Sequence, residues 1–218
     1  TTTDLSIDNN FAYVKEQMDI DNYALYQATE IYISNYDWPG SNIKYWKQPG
    51  GKWRWILYDT DQGFGTRFAT DNYDMNSLSL ALEENGPSWP NPPWSTLLFR
   101  RLVTNIGFRN TFINRYADEL NSRFLPAAVK THIDQISQSI QSEVDSHYIR
   151  WDGDPNDQAY YVNEMRNWAD NRPYFAREQL KEEFQLAATH AITINNEDVE
   201  KGFVKVNNNL KIQTEGWT

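Results

Sequence analysis

Two short runs rich in β-branched and aromatic residues, 43–47 and 52–58, stand on either side of Pro49-Gly50-Gly51. The Pro-Gly-Gly step supplies a chain reversal, so the pair predicts a β-hairpin, the clearest in the chain. Along the second run Trp53, Trp55 and Leu57 fall on one face, and Arg54, Ile56 and Tyr58 on the other. The polar loop Asn35-Tyr36-Asp37-Trp38-Pro39-Gly40-Ser41-Asn42 enters this hairpin, and the acidic turn Asp59-Thr60-Asp61-Gln62-Gly63-Phe64-Gly65 leaves it. The order helix, loop, hairpin, turn puts Asp37, Asn42 and Asp59 at the mouths of neighbouring elements.

The remaining pattern is mostly helical. Residues 4–18 predict a short helix that Asp19-Ile20-Asp21 breaks, with Asp21 as the N-cap of the next helix, which runs to about residue 35. Tyr23, Tyr26, Ala28, Ile31 and Tyr32 give that helix a rough apolar face, and Trp38-Pro39-Gly40 then turns the chain. Residues 66–93 read as irregular, apart from a short helix at 77–83. Ser95 predicts the cap of a helix through residue 103, and Phe108, Phe112, Ile113, Tyr116 and Leu120 recur at helical spacing over 108–124. Pro126 opens another helix, with Val129, Ile133, Ile136, Ile140 and Val144 on one face. Asn156 or Asp157 opens the next, and Pro173 begins the last, through residue 186. After Thr189 the character changes: 191–194, 203–206 and 210–213 read as short strands separated by asparagine-rich turns. The expected fold is α+β, a mostly helical lobe over 1–189 that carries a small hairpin, with 190–218 as the start of a separate β module.

Composition limits the function classes. The 218 residues suit one domain of ordinary size, and 39% hydrophobic with 15% aromatic content is enough for a substantial core. A net charge of −10 argues against a general nucleic-acid surface and against an anionic membrane. The absence of cysteine removes disulfides and thiolate metal sites. No run approaches the ~18 apolar residues of a membrane span. The chain starts at Thr1 without Met, which reads as a segment cut from a longer protein.

Kinase-type phosphoryl transfer needs one carboxylate to orient a hydroxyl, and an amide and a carboxylate to hold metal. Asp37, Asn42 and Asp59 supply that set, and Asp37-x-x-x-x-Asn42 has the catalytic-loop spacing of protein kinases. The competing reading is an Asx-type turn around Trp38-Pro39-Gly40; the acidic turn behind the hairpin weighs against it. An EF-hand starting at Asp59 fails, because Gly63 and Thr70 occupy ligand positions. The second acidic loop, Asp152-Gly153-Asp154-Pro155-Asn156-Asp157, lacks the required Gly and Glu and reads as a solvated loop capping the next helix. His132, His147 and His190 form no metal-binding frame, and no Gly-x-Ser-x-Gly elbow is present. A glycosidase reading of the paired carboxylates ranks below phosphoryl transfer. Trp89 and Trp94, among Pro87, Pro90, Pro92 and Pro93, suit stacking on a sugar or peptide, but packing onto the core is the favoured reading.

The succession of helix, Asn35-x-Asp37 with Asn42, hairpin, Asp59-x-Asp61 and Phe64-Gly65 resembles the spore coat protein H (CotH) kinase family. The resemblance covers roughly 1–190, and its specific part is 19–65. These are secreted or spore-associated bacterial proteins with an atypical kinase-like fold. The resemblance implies that Asp37 positions the attacking hydroxyl, that Asn42 and Asp59 hold magnesium, and that Asp61 is a second ligand or the partner of one. It further implies ATP and Mg²⁺ as cofactors, a protein Ser or Thr as acceptor, and an extracellular, cell-surface or spore-associated location.

The chain also departs from the kinase pattern. It has no glycine-rich loop, no Val-Ala-Ile-Lys-like strand and no Lys two residues after Asp37; Lys44 and Arg54 are the nearby cations. The family's phosphate-gripping lysine lies upstream, so this chain is expected to be a C-terminal lobe with an incomplete nucleotide grip. The alternative is a catalytically inactive kinase-like module that holds a protein or glycan partner on a cell surface or polysaccharide-degrading assembly. The tail resembles the β modules that often follow this domain in surface proteins of anaerobic bacteria.

Overall fold

The computed structural model describes residues 3–65, 72–84, 91–154, 156–196, 198, 200–207 and 210–212. Among these residues are seven α-helices and two two-stranded antiparallel sheets, a mostly helical α+β fold.

Helices α1 (Asp8–Gln17) and α2 (Ile20–Ile33) meet at Met18 and Asp19. The cap of α2 is Asp19, not Asp21: its carboxylate accepts from the Asn22 N–H at 3.0 Å. The hairpin moves the helix start forward. The Asp19 N–H is bonded to the Trp53 carbonyl at 2.9 Å, which holds Asp19 extended, and its other oxygen pairs with Arg54 at 2.6 Å. Asp21 lies instead in the first turn, where a carboxylate favours the helix dipole.

Helix α2 is buried almost all round: Tyr23, Ala24, Tyr26, Ala28, Ile31, Tyr32 and Ile33 are core residues. Such a helix lies inside a fold rather than on its surface. It packs on α3 (Ser77–Leu82), on α5 (Ile106–Leu120) and on the second strand of the hairpin. Each large side chain buried there contributes roughly 1.5–3 kcal/mol. The hairpin forms as expected but is short, with β1 (Lys44–Trp46) and β2 (Arg54–Ile56) in the register Lys44↔Ile56, Tyr45↔Trp55, Trp46↔Arg54. Trp55 turns inward, edge-on to Tyr23 with ring centroids 4.6 Å apart.

Helix α4 (Leu97–Leu102) starts after Thr96, not at a Ser95 cap. The Ser95 hydroxyl is taken by Asn91 Oδ1 and the Pro92 carbonyl, at 3.0 and 2.7 Å. Asn105 caps α5 by accepting from the Gly107 and Phe108 N–H groups, and the helix ends at Leu120, earlier than the sequence pattern suggests. Helix α6 (Pro126–Trp151) begins with Pro126 in the first turn, as expected.

A break at Pro173 does not occur: α7 runs unbroken over Asn156–Phe184 with Pro173 inside it. An interior proline costs about 3 kcal/mol in an isolated helix. Here the neighbouring Arg172 is fully buried and donates to the carbonyls of Ile31, Tyr32, Tyr73 and Met75, all at 2.8–2.9 Å. These four bonds fix the helix, next to the proline, against α2 and the 73–75 segment.

The acidic loop after α6 behaves as a solvated cap: Asp154 accepts from the N–H of Asn156, the first residue of α7. At the C-terminus β3 (Val204–Val206) pairs with β4 (Leu210–Ile212). The strand expected at 191–194 is reduced to a single bridge at Ile194, because Ile192 is exposed and finds no face to bury. Asn207 donates to Asp118 of α5 at 2.8 Å, and Ile212 is buried. Among the described residues no helix is long and apolar enough to cross a membrane.

Candidate functional site

The last turn of α2 builds one wall of the site. Ser34 ends the helix in the left-handed conformation, and Asn35 to Ser41 follow as a tight loop. Two backbone bonds join this wall to the acidic turn: Tyr36 N–H to the Gln62 carbonyl at 3.2 Å, and Phe64 N–H to the Ile33 carbonyl at 2.8 Å. Phe64 also packs on Trp168 of α7, with ring centroids 5.0 Å apart. Gly63 fits into the gap, where an added Cβ would come within 3.2 Å of the Ile33 carbonyl and 3.1 Å of the Thr60 carbonyl.

Asn42 and Asp59 both have positive φ, +56° and +55°, a conformation that Asn and Asp tolerate better than most residues. They touch: Asn42 Nδ2 donates to the Asp59 carbonyl at 3.3 Å. Asn35 Nδ2 donates to the same carbonyl at 3.4 Å. The Asp59 backbone is thus clasped by two side-chain amides. Because Asn42 uses its nitrogen here, Oδ1 is the atom it has to offer a metal.

Asp37, Asp59 and Asp61 are near neighbours electrostatically. The Asp59 carboxyl is held above its ordinary range, first by desolvation, then by the charge and hydrogen-bonding contact of Asp61 and the charge of Asp37; Lys44 opposes the shift. The Asp37 carboxylate makes no hydrogen bond among the described residues, so the loop at Trp38-Pro39-Gly40 is not an Asx turn built on that side chain. It closes instead through the backbone, Ser41 N–H to the Asp37 carbonyl at 2.9 Å.

The two nearby cations separate in role. Arg54 is committed to Asp19, while Lys44 lies over the Tyr58 ring at 3.3 Å and is felt by Asp59. Among the described residues no group of three or more His, Cys, Asp or Glu is placed to hold a metal ion. Magnesium needs none, since it is commonly held by one or two carboxylates together with substrate phosphates and water. After desolvation, the like charges of Asp61 and Asp37 raise the Asp59 carboxyl, and a dication at the turn would oppose that shift.

Beside the turn lies a groove of about 530 Å³ between the end of α2, the acidic turn and the α6–α7 pair. Leu57, Thr60 and Phe64 line its near side and Ile133, Ile136 and Ile140 its far side. The apolar face expected on α6 is therefore only partly covered, with Val129 and Val144 buried but Ile136 and Ile140 exposed. On the other flank the hairpin exposes Tyr45, Trp46 and Trp53. Trp94 is 63% exposed and does not pack into the core; Trp89 lies outside the described residues.

Sequence reasoning had no role for Glu30, although it is fully buried and bonded to Asn35. The available signal was a charged residue in a stretch of α2 whose buried sides are, apart from Gln27, Ala, Ile and Tyr.

The fold is a mostly helical α+β lobe with a small docked hairpin and an acidic turn behind it. The chain belongs to the CotH kinase protein family, whose model matches residues 1–176. The match spans the hairpin and both acidic segments of the site and ends inside α7. No curated protein and no solved structure matches the chain.

Proposed function

We propose that this lobe takes part in ATP- and Mg²⁺-dependent transfer of a phosphoryl group to a protein Ser or Thr. The observation that carries the reading is the meeting of Asn42 with Asp59, with the charges of Asp37 and Asp61 bearing on the same carboxylate. In this reading Asp37 orients the acceptor hydroxyl, while Asn42, Asp59 and Asp61 are the residues that would hold magnesium. The bound ion would neutralise phosphate charge; the chain's own part is to place donors and carboxylates where that charge develops. The secreted, surface or spore-associated setting implied by the family belongs to the same proposal.

The test is titration of Mg·ATP, and phosphoryl transfer from γ-labelled ATP to a mixed Ser/Thr peptide library, in the longest natural form of the protein that contains this chain. Asp59→Ala should abolish nucleotide-dependent metal binding. Asp37→Asn should leave binding in place and cut transfer by about 100-fold or more. Transfer at an unchanged rate in Asp37→Asn would sink the assignment.

The exposed aromatic rings favour a second reading, a kinase-like module that binds a protein or glycan. Tyr45 is 58% exposed, and Trp46, Trp53 and Trp94 also reach solvent. Retention on immobilised glycans, lost in Trp53→Ala or Trp94→Ala, would support that reading; no retention on any glycan would remove its glycan form.

A further inference from the structure

Glu30 lies in the penultimate turn of α2 with no solvent exposure, and it forms no ion pair among the described residues. Its Oε2 accepts from Asn35 Nδ2 at 3.0 Å. The same nitrogen donates its second hydrogen to the Asp59 carbonyl at 3.4 Å, beside the bond from Asn42. A buried carboxylate is therefore connected through one amide to the backbone of the candidate metal-binding turn. We propose that Glu30 is a positioning residue, which fixes the Asn35 amide and through it the conformation of Asp59. Its link to catalysis rests on the phosphoryl-transfer reading; the positioning itself does not.

The accounting of polar atoms supports a role beyond packing. Glu30 Oε1 and Asn35 Oδ1 are both buried and have no partner among the described residues. The Tyr26 hydroxyl, also buried and unpartnered, is the donor beside Glu30. A proton on Glu30 turns one of its oxygens from an acceptor into a donor, which changes what Asn35 and Tyr26 can offer it. In the charged form Oε2 holds the Asn35 amide by a stronger, charge-assisted bond. The state of Glu30 thus sets how firmly the amide is aimed at Asp59.

Burial pushes the Glu30 carboxyl up to about 7, against opposing effects of Asn35 and Tyr26. The groups that face it are few. Tyr26 lies on its own helix, with a hydroxyl near the carboxylate but outside hydrogen-bond geometry, and Asn35 lies on the loop that follows. Asp37, Asp61 and Lys44 act on Asp59, at the far end of the Asn35 link, and Arg172 of α7 is bonded to the neighbouring carbonyls of Ile31 and Tyr32.

The test follows the side-chain amide resonances of Asn35 and Asn42 in the whole chain from about pH 5.5 to about pH 8.5, in the wild type and in Glu30→Gln. Glutamine is neutral at every pH and can accept the same bond. The two amides should titrate together in the wild type with one midpoint near neutrality, and neither should titrate in Glu30→Gln. An Asn42 amide that does not titrate in the wild type, or that titrates unchanged in Glu30→Gln, overturns the proposal. Mn²⁺ titration then separates the two readings. Glu30→Leu, checked for cooperative unfolding, should weaken Mn²⁺ binding roughly 10-fold or more, and Glu30→Gln should restore most of it. Wild-type protein that binds no Mn²⁺ counts against phosphoryl transfer, and the amide titration still decides the positioning role.

Discussion

The side chain of Asn22 and the backbone of Trp55 exchange two hydrogen bonds: the Trp55 N–H donates to Asn22 Oδ1 at 2.6 Å, and Asn22 Nδ2 donates to the Trp55 carbonyl at 3.2 Å. An amide on a helix thus takes the place of a neighbouring strand, and a hairpin of three residue pairs is docked where its far end can deliver Asp59. An isolated hairpin of this size is marginal in water, so the docking bonds matter more than its own ladder. Asn22→Ala leaves the Trp55 N–H and carbonyl without their partner. It should cost about 1–3 kcal/mol in denaturant unfolding. It should also speed hydrogen exchange at Trp55 more than in α5, and equal loss of protection in both places would contradict the local role.

Arg172 closes the opposite side. Its guanidinium joins the end of α2 to the 3₁₀ turn Asn72–Asp74 and to α7 through carbonyls of Ile31, Tyr32, Tyr73 and Met75. Its removal strips the Tyr32 and Tyr73 carbonyls of their donor, while those of Ile31 and Met75 keep the Ser34 and Ser77 N–H groups. Arg172→Met should therefore destabilise by roughly 4 kcal/mol or more. Arg172→Lys, which keeps the charge but loses the planar fork, should recover only part of this. Thermal melts of the two variants check both the order and the size; a lysine variant as stable as wild type would show that charge alone suffices.

The part of the site lying on one continuous stretch was legible in the sequence. Asp37, Asn42 and Asp59 could be placed because a loop, a hairpin and a turn follow one another with clear punctuation, and the structure brings Asn42 onto Asp59. What could not be read depends on partners far along the chain. Asp19 displaces Asp21 as a cap because Trp53 and Arg54 hold it, residues more than thirty positions away. Pro173 continues a helix because Arg172 is anchored on α2 and on the 3₁₀ turn. Glu30 carries no local signature except its apolar company, and its meaning comes from Asn35 and Asp59. Local propensity marks the elements, while tertiary hydrogen bonds decide which end residue caps, which proline is tolerated and which buried charge is retained.

Gly63 makes a prediction about the turn alone. Its N–H bonds to the Thr60 carbonyl at 3.0 Å, and its Cα faces the end of α2. A methyl group there would press on two backbone carbonyls and on the Ile33 Cβ, all within 3.1–3.3 Å. Backbone cannot rotate away as a flexible side chain can, so Gly63→Ala should separate the turn from α2. The expected result is a loss of about 1–3 kcal/mol, with the Phe64 N–H to Ile33 bond lost first in hydrogen exchange. An alanine variant with wild-type protection at Phe64 would show that the gap can widen without consequence.

Glu30 ties stability to pH in a direction opposite to that of a salt-bridged carboxylate. Its folded value of about 7 lies above the ordinary 4.5, so folding favours the protonated form. The stabilising contribution is complete below the unfolded value and is lost as pH rises through about 7. The shift corresponds to an order of 3 kcal/mol between the two limits. Glu30→Gln is neutral throughout and escapes the loss. Its stability should match the wild type below about pH 4.5, diverge as pH rises from there to about 7, and exceed it by up to that amount above about pH 8. Denaturant unfolding of both proteins at several pH values gives the curve directly, and a pH-independent difference would mean that Glu30 does not titrate in this window. A glutamine variant more stable above neutrality would mean that the carboxylate costs the fold stability, and the backbone that Glu30 reaches through Asn35 is that of Asp59.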